Sequence, residues 1–239
     1  MSQPSAKEIG ARLLALADPT IAAHSRRFFK TGPGQYGEGD AFLGIRVPVL
    51  RRLAAEFREA PERAIWTLLR SVEHEARLLA LLMIVARFKR GTDETRERIY
   101  RRYLDEIREH VNNWDLVDSS APGIVGAYLE RRSRRPLYAL ARSRSLWERR
   151  VAIIATHWLI RRGSFADTFA ITELLLGDDQ DLIHKAAGWM LREVANRNRP
   201  EAEAFLRRHY RQMPRTMLRY AIEKFPETRR RAYLEGRVR

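Results

Sequence analysis

The sequence predicts an all-α protein in which helices pair as hairpins and the hairpins stack into a solenoid. Three observations lead to this prediction. Apolar residues recur at helical spacing along most of the 239 residues, whereas strand-like alternation is nearly absent. Capping residues, glycines and prolines divide the chain into short helices. The second helices of successive hairpins begin near residues 74, 113, 145 and 181, a period of about 31 to 40 residues.

The helix boundaries follow from local signals taken in chain order. Ser5 and Glu8 form a capping box at the start of the first helix, which ends before Asp18-Pro19, and a second helix runs to about Lys30. The segment Thr31 to Gly44 holds five glycines and one proline and is predicted to be a loop or a short hairpin. Further helices are predicted over residues 48–58, 61–71, 74–90, 93–110, 113–131 with an interruption near Pro122, 136–143, 145–162, 164–176, 181–197, 200–212, 215–224 and 227–235.

The repeat period is close to that of HEAT-type helical repeats. We therefore expect one repeat domain over residues 1–239, interrupted only by the loop 31–44, because no linker or low-complexity tract divides the chain. Stacked hairpins of this kind curve, and their second helices line the concave surface. A basic concave groove is the expected result.

Composition narrows the classes of function. The 45 Lys and Arg against 30 Asp and Glu give a formal charge of +15, which indicates a polyanionic partner such as nucleic acid, although an arginine-rich solvated surface would give the same number. The absence of cysteine excludes disulfides and thiolate chemistry. No two of the six histidines are four residues apart, so we expect no metal and no cofactor. With no secretory signal and no apolar run long enough for a bilayer, a soluble, cytoplasmic protein is expected.

The segment VNNWDLVDSSAP, residues 111–122, is the first candidate for a functional site. Trp114 and Asp118 are four residues apart, so on a helix they lie on the same face, and an aromatic ring beside an acid is a plausible start for a site. Asp115 lies about 100° around the helix from Trp114. There its carboxylate would serve the helix start, where it complements the helix dipole.

Later helices supply further candidates, namely Arg150, Lys185 and Trp189. If the second helices line one groove, these residues converge there with Trp114 and Asp118. The competing interpretation is structural, because a tryptophan in a helical repeat is usually part of the core and an arginine in a charge run usually faces solvent. On that basis we predict core positions for the remaining tryptophans, Trp66, Trp147 and Trp158.

Four segments together resemble a known family: FLGIRVP at residues 42–48, NNWDLVDSSAP at 112–122, LWERRVAI at 146–153 and HKAAGWMLREVA at 184–195. The sequence resembles the AlkD-like family of DNA glycosylases, HEAT-like repeat proteins that excise alkylated purines, over nearly its whole length. The resemblance implies that Asp118 is the catalytic aspartate, that Trp114 and Trp189 are its stacking tryptophans and that Arg150 contacts the DNA backbone. Phe28 falls where the best-known members have a tyrosine.

The resemblance also implies a mechanism that leaves the base in the duplex. Hydrolysis of an N-glycosidic bond passes through a cationic sugar, which the Asp118 carboxylate would stabilise while it orients an attacking water. The alkylated purine is already cationic, so one carboxylate suffices. The expected partner is double-stranded DNA that contains 3-methyladenine or 7-methylguanine, bound by a monomer, with Phe28, Arg150 and Lys185 as DNA contacts.

Two other functions stay open. The loop 31–44 resembles the inserted hairpin of the AlkF and AlkG relatives, which are associated with branched DNA, and it favours a non-catalytic binder of structured DNA. A protein-binding repeat scaffold is the third hypothesis, but a scaffold does not require so basic a chain. Steep salt dependence of binding would separate either DNA hypothesis from the scaffold.

Overall fold

The computed structural model describes residues 3–238. The regular secondary structure of these residues is helical, apart from an isolated β-bridge between Ala41 and Glu73, and the predicted all-α, solenoid-like fold is confirmed. No helix among them is both long enough and apolar enough to cross a membrane. The chain divides into two compact units, residues 1–120 and 121–239. The expectation of one repeat domain over residues 1–239 stays a prediction.

The first unit is a two-layered stack of helices. Its helices are α1 (Ala6–Leu14), α2 (Pro19–Phe28), α3 (Val47–Glu56), α4 (Glu62–Leu69), α5 (His74–Arg90), α6 (Asp93–Glu106) and α7 (Trp114–Ala121). Helices α4 and α5 form a hairpin, α1 packs against α4, and α3 packs against α5. Helices α1 and α4 therefore form one layer, and α3 and α5 form the other, as in a helical-repeat stack.

The second unit repeats this arrangement. It begins with a π-helical turn (Pro122–Gly126) and continues with α8 (Ala127–Leu129), α9 (Arg135–Ala141), α10 (Leu146–Ile160), α11 (Ala166–Leu174), α12 (Asp181–Ala195), α13 (Arg199–His209), α14 (Arg215–Ala221) and α15 (Glu227–Leu234). Helices α9 and α10 form one hairpin and α11 and α12 the next. The first helices of these hairpins pack on each other, and so do the second helices, with α14 packing against α12.

Side-chain caps explain where several helices begin. The capping box predicted at Ser5 is present, with the Glu8 amide donating to Ser5 Oγ (3.2 Å) and the Ser5 amide donating to Glu8 Oε2 (2.7 Å). Asp18 caps α2 by accepting from the amides of Thr20 (2.9 Å) and Ile21 (3.1 Å). Its neighbour Pro19 occupies the first turn, where no amide donor is required.

The predicted boundaries hold at helix starts better than at helix ends. Helix α5 spans the predicted residues 74–90, but α6 ends at Glu106 instead of residue 110 and α13 at His209 instead of residue 212. The remaining residues form hydrogen-bonded turns that do not continue the helix. Pro122 does not break the helix as proline often does. Proline has no N–H to donate to the carbonyl of the residue four positions earlier, and the backbone widens into the π-helical turn that follows α7.

The glycine-rich segment is a loop of successive turns, and its described residues form no paired strands of a hairpin. The amide of Gln35 donates to Gly32 O (3.0 Å) and that of Glu38 to Gln35 O (3.1 Å). The amide of Gly37 donates to Lys30 O (3.2 Å), which closes the first part of the loop into a compact turn. Beyond the loop, Ala41 pairs with the backbone just before α5, and its carbonyl accepts from the His74 amide (2.7 Å).

The tryptophans predicted as core differ in burial. Trp66 is 1% exposed, as predicted. Trp147 and Trp158 are only partly buried, so the prediction of full core positions is wrong for both. Trp158 is not fully buried because its indole has polar partners: Nε1 donates to Glu130 Oε2 (2.9 Å) and the guanidinium of Arg162 lies 3.7 Å from the ring centroid.

Candidate functional site

The start of α7 is held by the two residues of the NNWD sequence that precede Trp114. Asn113 is fully buried; its Nδ2 donates to Asp40 Oδ2 (2.9 Å) and its Oδ1 accepts from the Trp114 amide (2.8 Å). Asn112 Oδ1 accepts from Arg77 Nη1 (2.7 Å). The amide pair therefore attaches the first turn of α7 to α5 and to the loop 31–44, and so fixes the position of Trp114.

The indole of Trp114 is half-buried in an aromatic cluster. It stacks on Phe29 with the ring centroids 5.3 Å apart and the planes at 11°. Phe28 meets it edge-on at 6.0 Å and 73°. Since Phe28 is 59% exposed, an aromatic side chain from the end of α2 stands in solvent beside Trp114. Phe28 and Trp114, two candidate residues 86 positions apart in the sequence, are thus in contact in the structure.

Asp118 lies one turn after Trp114 on α7 and is half-buried. Its charge acts on Tyr103, a fully buried phenol. Burial is the main cause that raises the pKa of Tyr103, and the carboxylate of Asp118 raises it further, against the opposing hydrogen bond with Ser120. Tyr103 therefore stays neutral; its OH lies 2.8 Å from Ser120 Oγ, which donates to Leu116 O (2.6 Å). A neutral pair of hydroxyl groups, Tyr103 and Ser120, therefore lies near Asp118.

Asp115 contacts the start of α7, as the sequence predicted. Its Oδ1 accepts from the Leu116 amide (2.9 Å) in the first turn of α7. What the sequence did not indicate is its second contact, in which Oδ2 lies 2.8 Å from Nε2 of His74. The carboxylate is 14% exposed and engaged on both oxygens. The Asp115 carboxylate therefore joins the start of α7 to the start of α5.

His74 is the centre of a buried polar network that the sequence analysis missed. The imidazole is 2% exposed, and its Nδ1 lies 3.0 Å from Asp40 Oδ2, opposite the contact with Asp115. Burial lowers the pKa of His74, but the hydrogen bonds to Asp115 and Asp40 outweigh it and raise the pKa to about 9. Burial raises the pKa of Asp40, yet His74, Arg77 and Asn113 together hold it below its ordinary value of 3.8. These partners lie 34 to 41 positions apart in sequence, so no local spacing could have indicated them.

A second buried carboxylate anchors the residues that follow the loop. Glu75 is 4% exposed and accepts from the amides of Leu43 (2.9 Å), Gly44 (2.7 Å) and Ile45 (3.2 Å). Charged groups that accept several backbone hydrogen bonds hold a segment firmly. The FLGIRVP segment is therefore fixed to the first turn of α5, next to His74.

In the second unit, Arg150 and Trp189 belong to two helices that pack in register. Arg150 on α10 donates from Nη1 to Leu182 O on α12 (2.5 Å), and His157 on α10 contacts the ring of Trp189 on α12 at 5.8 Å. Both pairs are 32 residues apart, so α10 and α12 run parallel. Arg150 is 4% exposed, and the alternative of a solvated charge run is therefore wrong for this residue.

Lys185 and Trp189 lie one turn apart on α12, and both are half-buried. Lys185 Nζ lies 2.7 Å from Asp181 Oδ2, and the Lys185 side chain is 40% exposed. The structure thus forms two groups of candidates: Phe28, Trp114 and Asp118 in the first unit, and Arg150, Lys185 and Trp189 in the second. The convergence of the two groups on one groove stays a prediction.

Comparison with known proteins gives one family. The family described as DNA alkylation repair enzyme matches residues 9–225. A solved structure, titled as a predicted DNA alkylation repair enzyme from Enterococcus faecalis, is similar with a TM-score of 0.68 and 17% identity, over 88% of this chain and 97% of that one. At this identity the likeness concerns the fold. No curated protein matches the chain.

Proposed function

The chain belongs to the family of DNA alkylation repair enzymes, and from this premise we propose that it is a monofunctional DNA glycosylase that hydrolyses the N-glycosidic bond of cationic alkylated purines in duplex DNA. The observation that carries the proposal is the pair Trp114 and Asp118, a partly exposed acid one turn from a stacked indole. The neighbouring acid, Asp115, is held by His74. We therefore assign the chemistry to Asp118 and not to Asp115.

Asp118 would act on the sugar. As the purine leaves, positive charge develops at the anomeric carbon, and a carboxylate nearby stabilises that charge and orients the attacking water. The leaving base is already cationic, so no general acid is required to protonate it. The base therefore need not enter a pocket, and the reaction can proceed without the base flipping that most glycosylases use.

The other candidates would bind and place the DNA. The indoles of Trp114 and Trp189 would each contact DNA, and a contact between an indole face and a cationic group contributes about 0.5 to 2 kcal/mol. Arg150 and Lys185 would hold phosphates and so place the lesion. Phe28, exposed beside Trp114, would extend the aromatic surface.

Release of free base from methylated DNA tests the proposal. Wild-type protein should release 3-methyladenine or 7-methylguanine, detected by chromatography, and Asp118→Asn should lose most of this release, on the order of 100-fold or more, while it retains duplex binding. Asp105→Asn is the matched control, because Asp105 is an exposed acid on α6 in the same unit. Unchanged release by Asp118→Asn would contradict the role of this residue.

A trapping experiment tests the monofunctional class. No lysine takes part in the proposed chemistry as a Schiff-base nucleophile. Borohydride added during turnover should therefore give no covalent protein–DNA adduct. A trapped adduct would assign the protein to the lyases. Chelation of divalent ions should likewise leave base release unchanged, since we propose that neither a metal nor a cofactor takes part.

Binding of branched DNA is a second candidate function, favoured by one observation. The end of α2 next to the loop 31–44 exposes three cations and an aromatic ring: Arg26, Arg27, Phe28 and Lys30. The amide of Gly37 donates to Lys30 O (3.2 Å), so deletion of residues 32–39 removes the whole turn that follows α2. The deletion should abolish any preference for junctions over plain duplex. A preference that survives it would argue against this function.

The remaining assignments follow from the same proposal. We propose a monomer, which gel filtration at several concentrations would check. We propose the cytoplasm as the location, because the target is DNA and the chain has no cysteine.

A further inference from the structure

We infer that His74 and Asp40 are positioning residues of the candidate site: the imidazole of His74 joins Asp40 of the loop 31–44 to Asp115 at the start of α7 and so fixes the orientation of Trp114 and Asp118. We call Asp40, His74 and Asp115 the clamp. The inference rests on the proposed function, because it gives these residues a task in the reaction of Asp118. None of the three is proposed to touch DNA.

The geometry of the clamp requires a doubly protonated ring. Nδ1 of His74 lies 3.0 Å from Asp40 Oδ2, and Nε2 lies 2.8 Å from Asp115 Oδ2. An ionised carboxylate only accepts hydrogen bonds, and a neutral imidazole carries one N–H. Both contacts are hydrogen bonds only if both nitrogens are protonated. The clamp therefore holds while His74 is an imidazolium.

The charges around the ring support this state. The ionisable groups that face His74 are Asp40 from the loop, Asp115 from α7 and Arg77 from α5, whose Nη2 donates to Asp40 Oδ1. With the imidazolium, two cations balance two anions in a site where His74 and Arg77 are 2% and 5% exposed. Loss of the proton would leave a buried carboxylate facing a bare ring nitrogen, which is costly away from water.

A second path leads from the ring to Trp114. His74 stacks on Phe42 with the centroids 4.6 Å apart at 20°, and it lies 4.8 Å from Phe29. Phe29 in turn stacks on Trp114 at 5.3 Å. His74 thus contacts Phe29, on which the indole of Trp114 stacks. It also contacts Asp115, the residue that follows Trp114 in the chain. A change at His74 should reach Trp114 by both paths.

The expected consequence is a loss of reaction rate with little loss of binding. A displacement of about 1 Å in a reacting group can cost on the order of 100-fold in rate. His74→Gln has both of its N–H donors on one nitrogen, whereas the two carboxylates contact the two different nitrogens of the His74 ring, so it should hold one carboxylate only and lower the single-turnover rate of base release by about 10- to 100-fold. Duplex affinity should stay within about twofold of wild type, since the phosphate contacts remain.

Asp40→Asn provides a second variant in case His74→Gln folds poorly. It keeps the shape of the clamp and removes one of the two charges that favour the imidazolium. The alkaline limb of the pH–rate profile, which in wild type should follow His74 near pH 9, should move to lower pH in Asp40→Asn. The control is His209→Gln, since His209 pairs with one carboxylate only, Glu173 at 3.1 Å, and should leave both rate and profile unchanged.

An NMR titration tests the clamp without any enzyme activity. In the chain labelled with ¹⁵N-histidine and tryptophan, His74 should show two protonated ring nitrogens at pH 7, and the Trp114 indole signal, assigned with Trp114→Phe, should shift as His74 titrates. The Trp66 indole of the same unit, which donates to Glu62 (3.1 Å), should not shift. A Trp114 signal that ignores the His74 titration, or a full reaction rate in His74→Gln, would overturn the inference. Absence of base release by the wild type would instead contradict the proposed function and leave the NMR result standing as the test of the clamp.

Discussion

Nε2 of His74 lies 2.8 Å from Oδ2 of Asp115, a contact that joins the first residue of α5 to the start of α7 across 41 positions of sequence. The pKa of His74 is raised from its ordinary value of 6.5 to about 9, so the folded chain binds this proton more tightly than the unfolded chain. The resulting stabilisation is complete below pH 6.5 and is lost as the pH rises through 9.

Chemical denaturation across this range measures the effect. We predict that the free energy of unfolding of the wild type falls between pH 6.5 and 9.5 by on the order of 3 kcal/mol more than that of His74→Gln, because one pKa unit corresponds to about 1.4 kcal/mol. His209→Gln should follow the wild-type curve. Parallel curves for wild type and His74→Gln would show that His74 does not hold its proton more tightly in the folded state.

Gly39 and Gly44 have similar positive φ angles, so substitutions at the two positions distinguish the cost of a left-handed backbone from the cost of a steric clash. Gly44 has φ +81 and Gly39 has φ +86, but an added Cβ at Gly44 would lie 2.1 Å from Asp18 O, whereas nothing lies within 4 Å of one at Gly39. We predict that Gly39→Ala costs about 1 to 2 kcal/mol of stability from its left-handed backbone. Gly44→Ala should cost at least about 2 kcal/mol more, because the α2 backbone has to move. Equal losses in urea denaturation would contradict the tight packing at Gly44.

Phe28 and Leu14 form a matched pair of exposed apolar side chains, each 59% exposed in the first unit. If Phe28 extends the aromatic surface beside Trp114, Phe28→Ala should weaken DNA binding by roughly tenfold, since stacking on one aromatic ring contributes about 1 to 3 kcal/mol. Leu14→Ala should leave binding unchanged. Because both side chains are largely in solvent, neither variant should change the thermal midpoint by more than a degree or two. Fluorescence anisotropy with a labelled duplex measures the binding, and equal affinities for the two variants would remove Phe28 from the DNA surface.

The fold was predictable because its signals are local. A capping box at Ser5, the uninterrupted apolar pattern of α5 and the glycine after α10 each act within a few residues, and helix boundaries were located from such signals. Gly163, for example, adopts φ +75 just past the end of α10, the left-handed conformation that commonly terminates a helix.

The candidate site was predictable only where it is local. The relation of Trp114 to Asp118 follows from helical spacing, whereas the clamp joins side chains from a loop and two helices that only the folded chain brings together. The burial of Arg150 was likewise hidden, because a charge run in the sequence resembles a solvated surface until the carbonyl of Leu182 is seen to accept from it. For Trp158 the error was the reverse. The sequence predicted a core position, whereas the side chain is only partly buried and contacts Glu130 and Arg162.

Lys185 offers the last test, of charge in DNA binding. Its side chain is 40% exposed on α12, one turn from Trp189, and a lysine that neutralises one phosphate releases about one counterion. Lys185→Gln should therefore weaken duplex binding and reduce the slope of log K against log salt by about one. Lys7→Gln is the control, since it removes the same charge from an exposed site on α1. Helix α1 belongs to the layer formed with α4 and not to the layer of α3 and α5. If both variants shift the slope equally, the binding reflects overall charge, and Lys185 has no particular phosphate; if only Lys185→Gln shifts it, the surface around Trp189 lies against the DNA backbone.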